Sequence, residues 1–196
     1  GMVRPADIPL FSERIYKEAR RLITLVEDII KLSKLDEESI ELEKEEVDLY
    51  DLTREVISRL APQASQKNVR MEMTGEPVKY FGIRQILDEM IYNVCENAIK
   101  YNKENGWVHV SLNADHKNCY IEVADSGIGI PAEAQEHIFE RFYRVDKSHS
   151  REIGGTGLGL AIARSAVVMH RGAIKVFSQP SEGTTFTVRI PLNYVS

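Results

Sequence analysis

Asn93 and Asn97 stand four residues apart, and Lys100 follows three later. On a helix this spacing turns two amide oxygens and an ammonium toward one face. Such a set suits Mg²⁺ with phosphate, because Mg²⁺ takes oxygen ligands, few from protein and the rest from water and phosphates. A solvated face carrying a Glu96–Lys100 pair is the competing reading of the same spacing. Three glycine clusters lie downstream: Asp125-Ser126-Gly127-Ile128-Gly129, Gly154-Gly155-Thr156-Gly157-Leu158-Gly159 and Gly183-Thr184-Thr185. Glycine permits close backbone approach, and amides at a helix start favour anions. The first cluster reads equally well as an ordinary turn. In the second, four glycines in six positions cost conformational entropy that plain packing rarely requires, and a bound phosphate accounts for them. The site is of neither familiar kind: no G-x-x-x-x-G-K-[ST] occurs. Nor does the glycine run sit between parallel strands with an acidic residue about 20 positions on, as a dinucleotide fold needs.

These residues need elements to hold them. Ile83 to Tyr101 reads as a helix with Ile83, Ile86, Leu87, Met90, Ile91, Val94 and Ala98 on one side. Val108, Val110, Leu112 and then Cys119, Ile121, Val123 alternate as a hairpin, which places Asp125 at a strand end. Pro131 suits the first turn of a helix carrying Ile138, Phe139 and Phe142; a further helix runs from Leu158 to His170 and stops at Gly172. Strands over Ala173 to Ser178 and Thr184 to Ile190 close the chain. Earlier, Asp48 is the expected N-cap of a helix through Leu60, followed by a strand over Val69 to Met73 and a turn at Gly75-Glu76-Pro77. The expected fold class is α/β, a two-layer sandwich with helices on one face of a mixed sheet.

From Ile15 to Leu35 the pattern differs. Ile15, Leu22 and Ile29 recur every seven positions, with Leu25 and Leu32 in the interleaved slot, as in a bundle or coiled-coil helix that needs a partner for its stripe. Acidic residues follow, with Ile40 and Leu42 alternating as a half-buried strand would, and a domain boundary is expected near residue 37. The 196 residues are 43% hydrophobic and 28% charged, an ordinary globular mix. A net charge of -5 argues against nucleic-acid binding by phosphate neutralisation. Cys95 and Cys119 are too few for a disulfide framework or a zinc site and read as small buried hydrophobes in a reducing, cytoplasmic setting. No stretch matches a membrane span or a secretory signal, which leaves a membrane-anchored parent open.

Taken in order, Asn93 with Asn97-Ala98-Ile99-Lys100-Tyr101, then Asp125-Ser126-Gly127-Ile128-Gly129-Ile130, then Phe139-Glu140-Arg141-Phe142-Tyr143-Arg144, then Gly155-Thr156-Gly157-Leu158-Gly159-Leu160, and then Gly183-Thr184 resemble the N, G1, F, G2 and G3 boxes of the catalytic ATP-binding domain of sensor histidine kinases. The resemblance covers residues 37–196; residues 1–36 resemble the second helix of the family's dimerisation and phosphoacceptor hairpin. It implies a Bergerat-type fold and ATP and Mg²⁺ as cofactors. Asp125 would accept from the adenine amino group, with Thr184 supporting it and Gly127, Gly129 and Ile130 around the base. Asn97, with Asn93, would hold Mg²⁺; Lys100 and Tyr101 would line the nucleotide, and Arg144 would meet phosphate charge. Residues 145–155 would form the ATP lid, and Gly155, Thr156, Gly157, Leu158 and Gly159 the phosphate loop. Asn93, Asn97 and Lys100 would carry the catalysis. The implied partners are ATP, a response-regulator receiver domain and, in the full-length protein, a second copy.

Two departures stand out. His149 occupies a lid position where the family commonly has Arg, which weakens a cationic role near neutral pH. None of His109, His116, His137, His149 or His170 stands in the family's His-Glu-Leu-Arg-Thr-Pro type acceptor motif; the expectation is a chain that binds Mg·ATP without phosphorylating itself. Hydrolytic members of the superfamily carry a carboxylate one turn before the metal-binding Asn, where this chain has Asn93. An amide cannot act as general base, so transfer to another protein is favoured over hydrolysis. A serine-kinase relative and a nucleotide-binding module without turnover are the remaining alternatives.

Overall fold

The computed structural model describes residues 4–36, 43–145 and 155–192. A 3₁₀ turn, Pro5–Asp7, leads into α1 (Ile8–Asp36). Then come β1 (Glu45–Asp48), α2 (Leu49–Gln66), β2 (Arg70–Gly75), β3 (Lys79–Gly82), α3 (Arg84–Lys100), β4 (Trp107–Ala114) and β5 (Asn118–Asp125). The chain continues through α4 (Ala132–Gln135), α5 (Gly159–Met169), β6 (Ala173–Gln179) and β7 (Gly183–Pro191). Five strands form one mixed sheet in the order β2-β4-β5-β7-β6. Only β2 runs parallel to its neighbour, β4; the other pairs are antiparallel. β1 and β3 pair separately.

Alternation on the strands decides where the core lies. Val108, Val110 and Leu112 of β4, Cys119, Ile121 and Val123 of β5, and Phe186, Val188 and Ile190 of β7 are all buried. They meet the apolar faces of α2 (Leu52, Val56, Leu60) and α3 (Leu87, Met90, Ile91, Val94) in one core. The expected two-layer sandwich is the one observed. Asp48 caps α2 by accepting from the amides of Tyr50 at 2.9 Å and Asp51 at 3.2 Å, and Cys95 and Cys119 are buried thiols pushed up to about 12 by desolvation. Among the described residues no helix is long and apolar enough to cross a membrane.

Two strands were not foreseen, one expectation needs correction and another lies outside the described residues. β1 and β3 were not evident from alternation, because each is four residues long and stabilised by its partner rather than by its own pattern. The helix begun at Pro131 stops at Gln135. Turns then bury Ile138 and set Phe139 edge-on to Phe186, at 6.2 Å between ring centroids. Phe142 lies outside the core, 58% exposed, at a left-handed φ of +64°, because its amide is drawn to the Gly157 carbonyl at 2.9 Å. The strand expected around Ile40 lies largely in residues 37–42, outside the described residues.

α1 is longer than expected and touches the sandwich at only one end. Leu32 is buried with Leu158, the N-cap of α5, and Ile162 of α5 in a small core that Leu25 and Leu35 also pack against, Leu35 reaching the main core as well, and Lys31 pairs with Glu89 of α3 at 2.7 Å. Ile15, Leu22, Val26, Ile29 and Ile30 remain exposed.

His170, the C-cap of α5, ties that helix to the start of α3. Its Nδ1 lies 2.8 Å from the Ala166 carbonyl, and its Nε2 accepts from the Ile83 amide at 3.3 Å. Only the neutral ring with its proton on Nδ1 satisfies both partners, and burial holds its pKa below the ordinary value. As pH falls through about 6.5 the unfolded chain therefore takes up a proton before the native one does, and stability drops. We predict that His170→Gln lowers unfolding free energy by about 2 kcal/mol at pH 7.5, and that its gap from wild type narrows by pH 5 in urea titrations. A gap independent of pH contradicts the account.

Candidate active site

The last turns of α3 and the end of β5 lie side by side, and one buried amide holds them together. Asn102 Nδ2 donates to the carbonyls of Ala98 at 2.9 Å and Trp107 at 3.0 Å. Its Oδ1 accepts from the Lys103 amide at 2.9 Å and the Ser126 hydroxyl at 3.1 Å. The Ser126 hydroxyl also accepts from the Trp107 amide at 2.8 Å, and the Tyr101 carbonyl accepts from the Ile128 amide at 3.0 Å. Asn93, Asn97, Lys100 and Tyr101 are thereby fixed against Asp125 and Gly127. Lys67 completes the turn by donating its ammonium to the carbonyls of Ile99, at 3.4 Å, and Lys100, a cation at a helix C-terminus.

On the α3 side, Asn93 Nδ2 donates to the Glu89 carbonyl at 2.8 Å, and its Oδ1 lies against Gly159. The half-buried Asn97 amide makes no hydrogen bond to any described residue. The Lys100 ammonium reaches Gly155, where a β-carbon would occupy its place, and sits 5.8 Å from the centre of the Tyr101 ring. Burial lowers the pKa of Lys100, Glu96 favours its charge and Arg144 opposes it. Glu96 itself accepts from the Tyr92 hydroxyl at 3.3 Å, and among the described residues no Glu96–Lys100 ion pair forms. The face is therefore not the solvated ion-pair face of the competing reading.

On the β5 side, Asp125 is 8% exposed. Desolvation pushes its pKa up to about 6, against the amides of Gly127 and Thr184 that hold the charged form. Gly127 donates at 2.8 Å. Thr184 thus meets the carboxylate through its main chain, while its hydroxyl pairs with Ser178 at 2.9 Å. The same Ser178 hydroxyl accepts from the Ile130 amide at 2.8 Å. Gln135 donates to the carbonyls of Ile130 and Ser178, both at 2.9 Å. Gly129 has a φ of +71°, and a β-carbon there would strike the Gln179 carbonyl; only glycine lets this loop meet the β6–β7 turn.

The second glycine cluster opens α5. Arg144 donates to the Gly155 carbonyl at 2.9 Å. The Thr156 hydroxyl accepts from the Leu158 amide at 3.3 Å and donates to Asp28 of α1 at 2.6 Å. Leu158 turns its side chain wholly into the small core with Leu32, so only its backbone faces the cleft. Gly154 and His149 lie outside the described residues. His137, exposed, pairs with Glu140 at 2.7 Å, and Arg141 is exposed as well.

The sequence-predicted residues are therefore brought together from α3, β5, the turns after α4, the start of α5 and β7. Sequence reasoning did not single out Asn102, Ser178 or Asp28. Asn102 carried one usable signal, an amide just beyond a helix end where free carbonyls need donors; the other two act across long sequence separations. The described residues contain no cluster of three or more His, Cys, Asp or Glu able to hold a metal. A cation here would depend on amide oxygens, water and a ligand's own oxygens, and the partnerless Asn97 amide beside Lys100 fits Mg²⁺ in that role.

A two-layer sandwich with an amide-bearing helix, a strand-end aspartate and a glycine-rich helix start defines an ATPase-type domain of the Bergerat fold. Residues 82–194 match the family described as histidine kinase-, DNA gyrase B-, and HSP90-like ATPase, and the chain belongs to that family. Within it, the chain is 37% identical over 189 residues to the sensor-like histidine kinase SenX3 of Mycolicibacterium smegmatis, covering 95% of this chain and 49% of the relative. It is 36% identical over 189 residues to the sensor protein kinase WalK of Staphylococcus haemolyticus, covering 95% and 31%. The chain thus spans half or less of the length of these relatives. Among solved structures, the mycobacterial sensor histidine kinase MprB is 30% identical with a TM-score of 0.67, covering 76% of this chain and 97% of that one. Full-length ShkA in complex with AMPPNP is 26% identical with a TM-score of 0.80, covering 96% and 40%. Histidine kinase ThkA in complex with the response regulator TrrA is 26% identical with a TM-score of 0.75, covering 97% and 53%.

Asn102→Ala removes four hydrogen bonds and leaves Ser126 with a lost acceptor. We expect it to lower unfolding free energy by about 2 to 3 kcal/mol and to speed amide exchange at Ile128. Wild-type stability and exchange would mean that the α3–β5 junction is held by other contacts.

Proposed function

We propose that this chain binds Mg·ATP in the cleft between α3, the end of β5 and the start of α5, and donates the γ-phosphoryl group to a histidine of a kinase hairpin, for relay to a response regulator. The observation that carries this is the convergence of the partnerless Asn97 amide, the Lys100 ammonium and the Gly155–Gly159 backbone beside a buried aspartate. Asp125 accepts from the adenine amino group, with the Thr184 amide holding the carboxylate and Gly127, Gly129 and Ile130 around the base. Asn97 and Asn93 hold Mg²⁺, which offsets phosphate charge when bound. Lys100 and Arg144 add cationic charge, Tyr101 lines the cleft, and the amides of Gly155, Thr156, Gly157, Leu158 and Gly159 face the phosphates at a helix start.

Phosphoryl transfer depends on positioning and charge more than on a protein nucleophile, which agrees with this set. Transfer is favoured over hydrolysis because Asn93 offers an amide where water activation needs a carboxylate. The ShkA complex with an ATP analogue and the ThkA complex with a response regulator support the nucleotide and the partner. We assign residues 1–36 to the second helix of a dimerisation hairpin and residues 37–196 to the catalytic domain. The exposed stripe of Ile15, Leu22 and Ile29 on α1 supports pairing with further helices, including those of a second copy. We place these residues in the cytoplasm.

Calorimetric titration with a non-hydrolysable ATP analogue tests the site. Wild type should bind with an affinity that depends on Mg²⁺; Asn97→Ala should lose that dependence, and Asp125→Asn should bind weakly if at all. Because the Asp125 carboxyl is raised to about 6 and the adenine amino group needs the carboxylate, affinity should fall as pH drops, by about tenfold at pH 5. Asp125→Asn should lack that step. Unchanged affinity in both variants would sink the assignment.

A further inference from the structure

Three polar side chains stand in one row on the helix-facing side of the sheet. Asp125 of β5 is opposite Thr184 of β7, and Thr184 is opposite Ser178 of β6, so all three point to the same side. Two residues along the strands that side is the core itself, at Val123 and Phe186. Asp125 and Ser178 are 8% exposed and Thr184 is 7% exposed, and polar groups so buried need partners.

Counting donors shows how the row is wired. The Ser178 oxygen accepts from the Ile130 amide at 2.8 Å and faces two further oxygens, the Gly183 carbonyl at 2.8 Å and the Thr184 hydroxyl at 2.9 Å. A carbonyl can only accept, so the single Ser178 proton goes to Gly183. The contact with Thr184 then needs the Thr184 proton, and with it Ser178 satisfies all three neighbours. Toward any other partner the Thr184 hydroxyl has only lone pairs to offer. The Asp125 carboxylate beside it also only accepts, so the edge these two side chains form carries no donor. The frame around Ser178 resists re-aiming: Gln135 donates to the carbonyls of Ile130 and Ser178, both at 2.9 Å, and the Ser181 amide donates to the Ile128 carbonyl at 2.7 Å.

We propose that Ser178 is a positioning residue for base selection: by taking the Thr184 proton it keeps the Asp125–Thr184 edge acceptor-only, which admits a purine with a 6-amino group and rejects one with a 6-oxo group. The inference rests on the nucleotide-binding reading above and deepens it. A Thr184 hydroxyl free to turn would donate to a 6-oxo group and offset its repulsion from Asp125. Committed to Ser178, it leaves that oxygen unpaired in a buried place, which is costly.

The test is calorimetry on the whole chain with Mg²⁺ and the non-hydrolysable imido analogues of adenosine and inosine triphosphate, at about pH 8, where Asp125, raised to about 6, is ionised. Wild type should favour the adenosine analogue by about a hundredfold or more. Ser178→Ala frees the Thr184 proton and should cut that preference about tenfold, chiefly by tighter binding of the inosine analogue. Thr184→Val leaves Ser178 bonded to Ile130 and Gly183 and should also cut the preference, with weaker binding of the adenosine analogue; should Ser178→Ala not fold, this variant decides. A merely structural Ser178 would lower both affinities by the same factor. Equal losses for the two analogues in Ser178→Ala, a wild-type preference in Thr184→Val, or equal binding of both analogues by wild type overturns the proposal while the nucleotide site stands. If wild type binds neither analogue, both readings fall.

Discussion

The junction between α3 and β5 depends on Asn102. A helix C-terminus leaves carbonyls without donors, and a strand end leaves a hydroxyl and amides in need of partners. The Asn102 side chain answers both at once, from a 7% exposed position. With the Tyr101 carbonyl receiving the Ile128 amide, it sets the two halves of the cleft in fixed register. Asn97 and Lys100 on one side and Asp125 on the other belong to elements with no covalent reason to face one another. Their registration is the condition for a ligand with a base at one end and phosphates at the other.

Burial then gives each group its character. The core beneath α3 forces its polar residues into one strip at the helix edge, and desolvation acts on them in opposite senses. It weakens the hold of Lys100 on its proton and strengthens that of Asp125, so both charges are costly until a ligand meets them. The far side of the cleft is held by a different set of contacts. The start of α5 is anchored through Arg144 to Gly155 and through Phe142 to Gly157, and from α1 by Asp28.

Much of this was readable in the sequence because it is periodic. The stripe of α3, the alternation of β4 and β5 and the cap at Asp48 all follow local rules, and the ordered boxes identified the family. What escaped is non-local or carried by the main chain. β1 and β3 are too short to alternate and exist as a pair. Phe142 looks like core by composition, yet its backbone bond to Gly157 turns the ring outward. Thr184 supports Asp125 through an amide, which no residue type announces, and its hydroxyl goes to Ser178. Asp28 meets Thr156 across 128 residues, a contact that no spacing rule reaches.

We propose that the cleft donates a phosphoryl group to another protein and does not spend it on water. Asn93 in place of a carboxylate favours transfer. The direct measurement is incubation of the chain with γ-labelled ATP and Mg²⁺, with and without a separate hairpin bearing the family's acceptor motif. The account predicts acid-labile label on the hairpin, none on the chain itself, and little free phosphate when the hairpin is omitted. Label recovered only as free phosphate, at a rate indifferent to the hairpin, would contradict it.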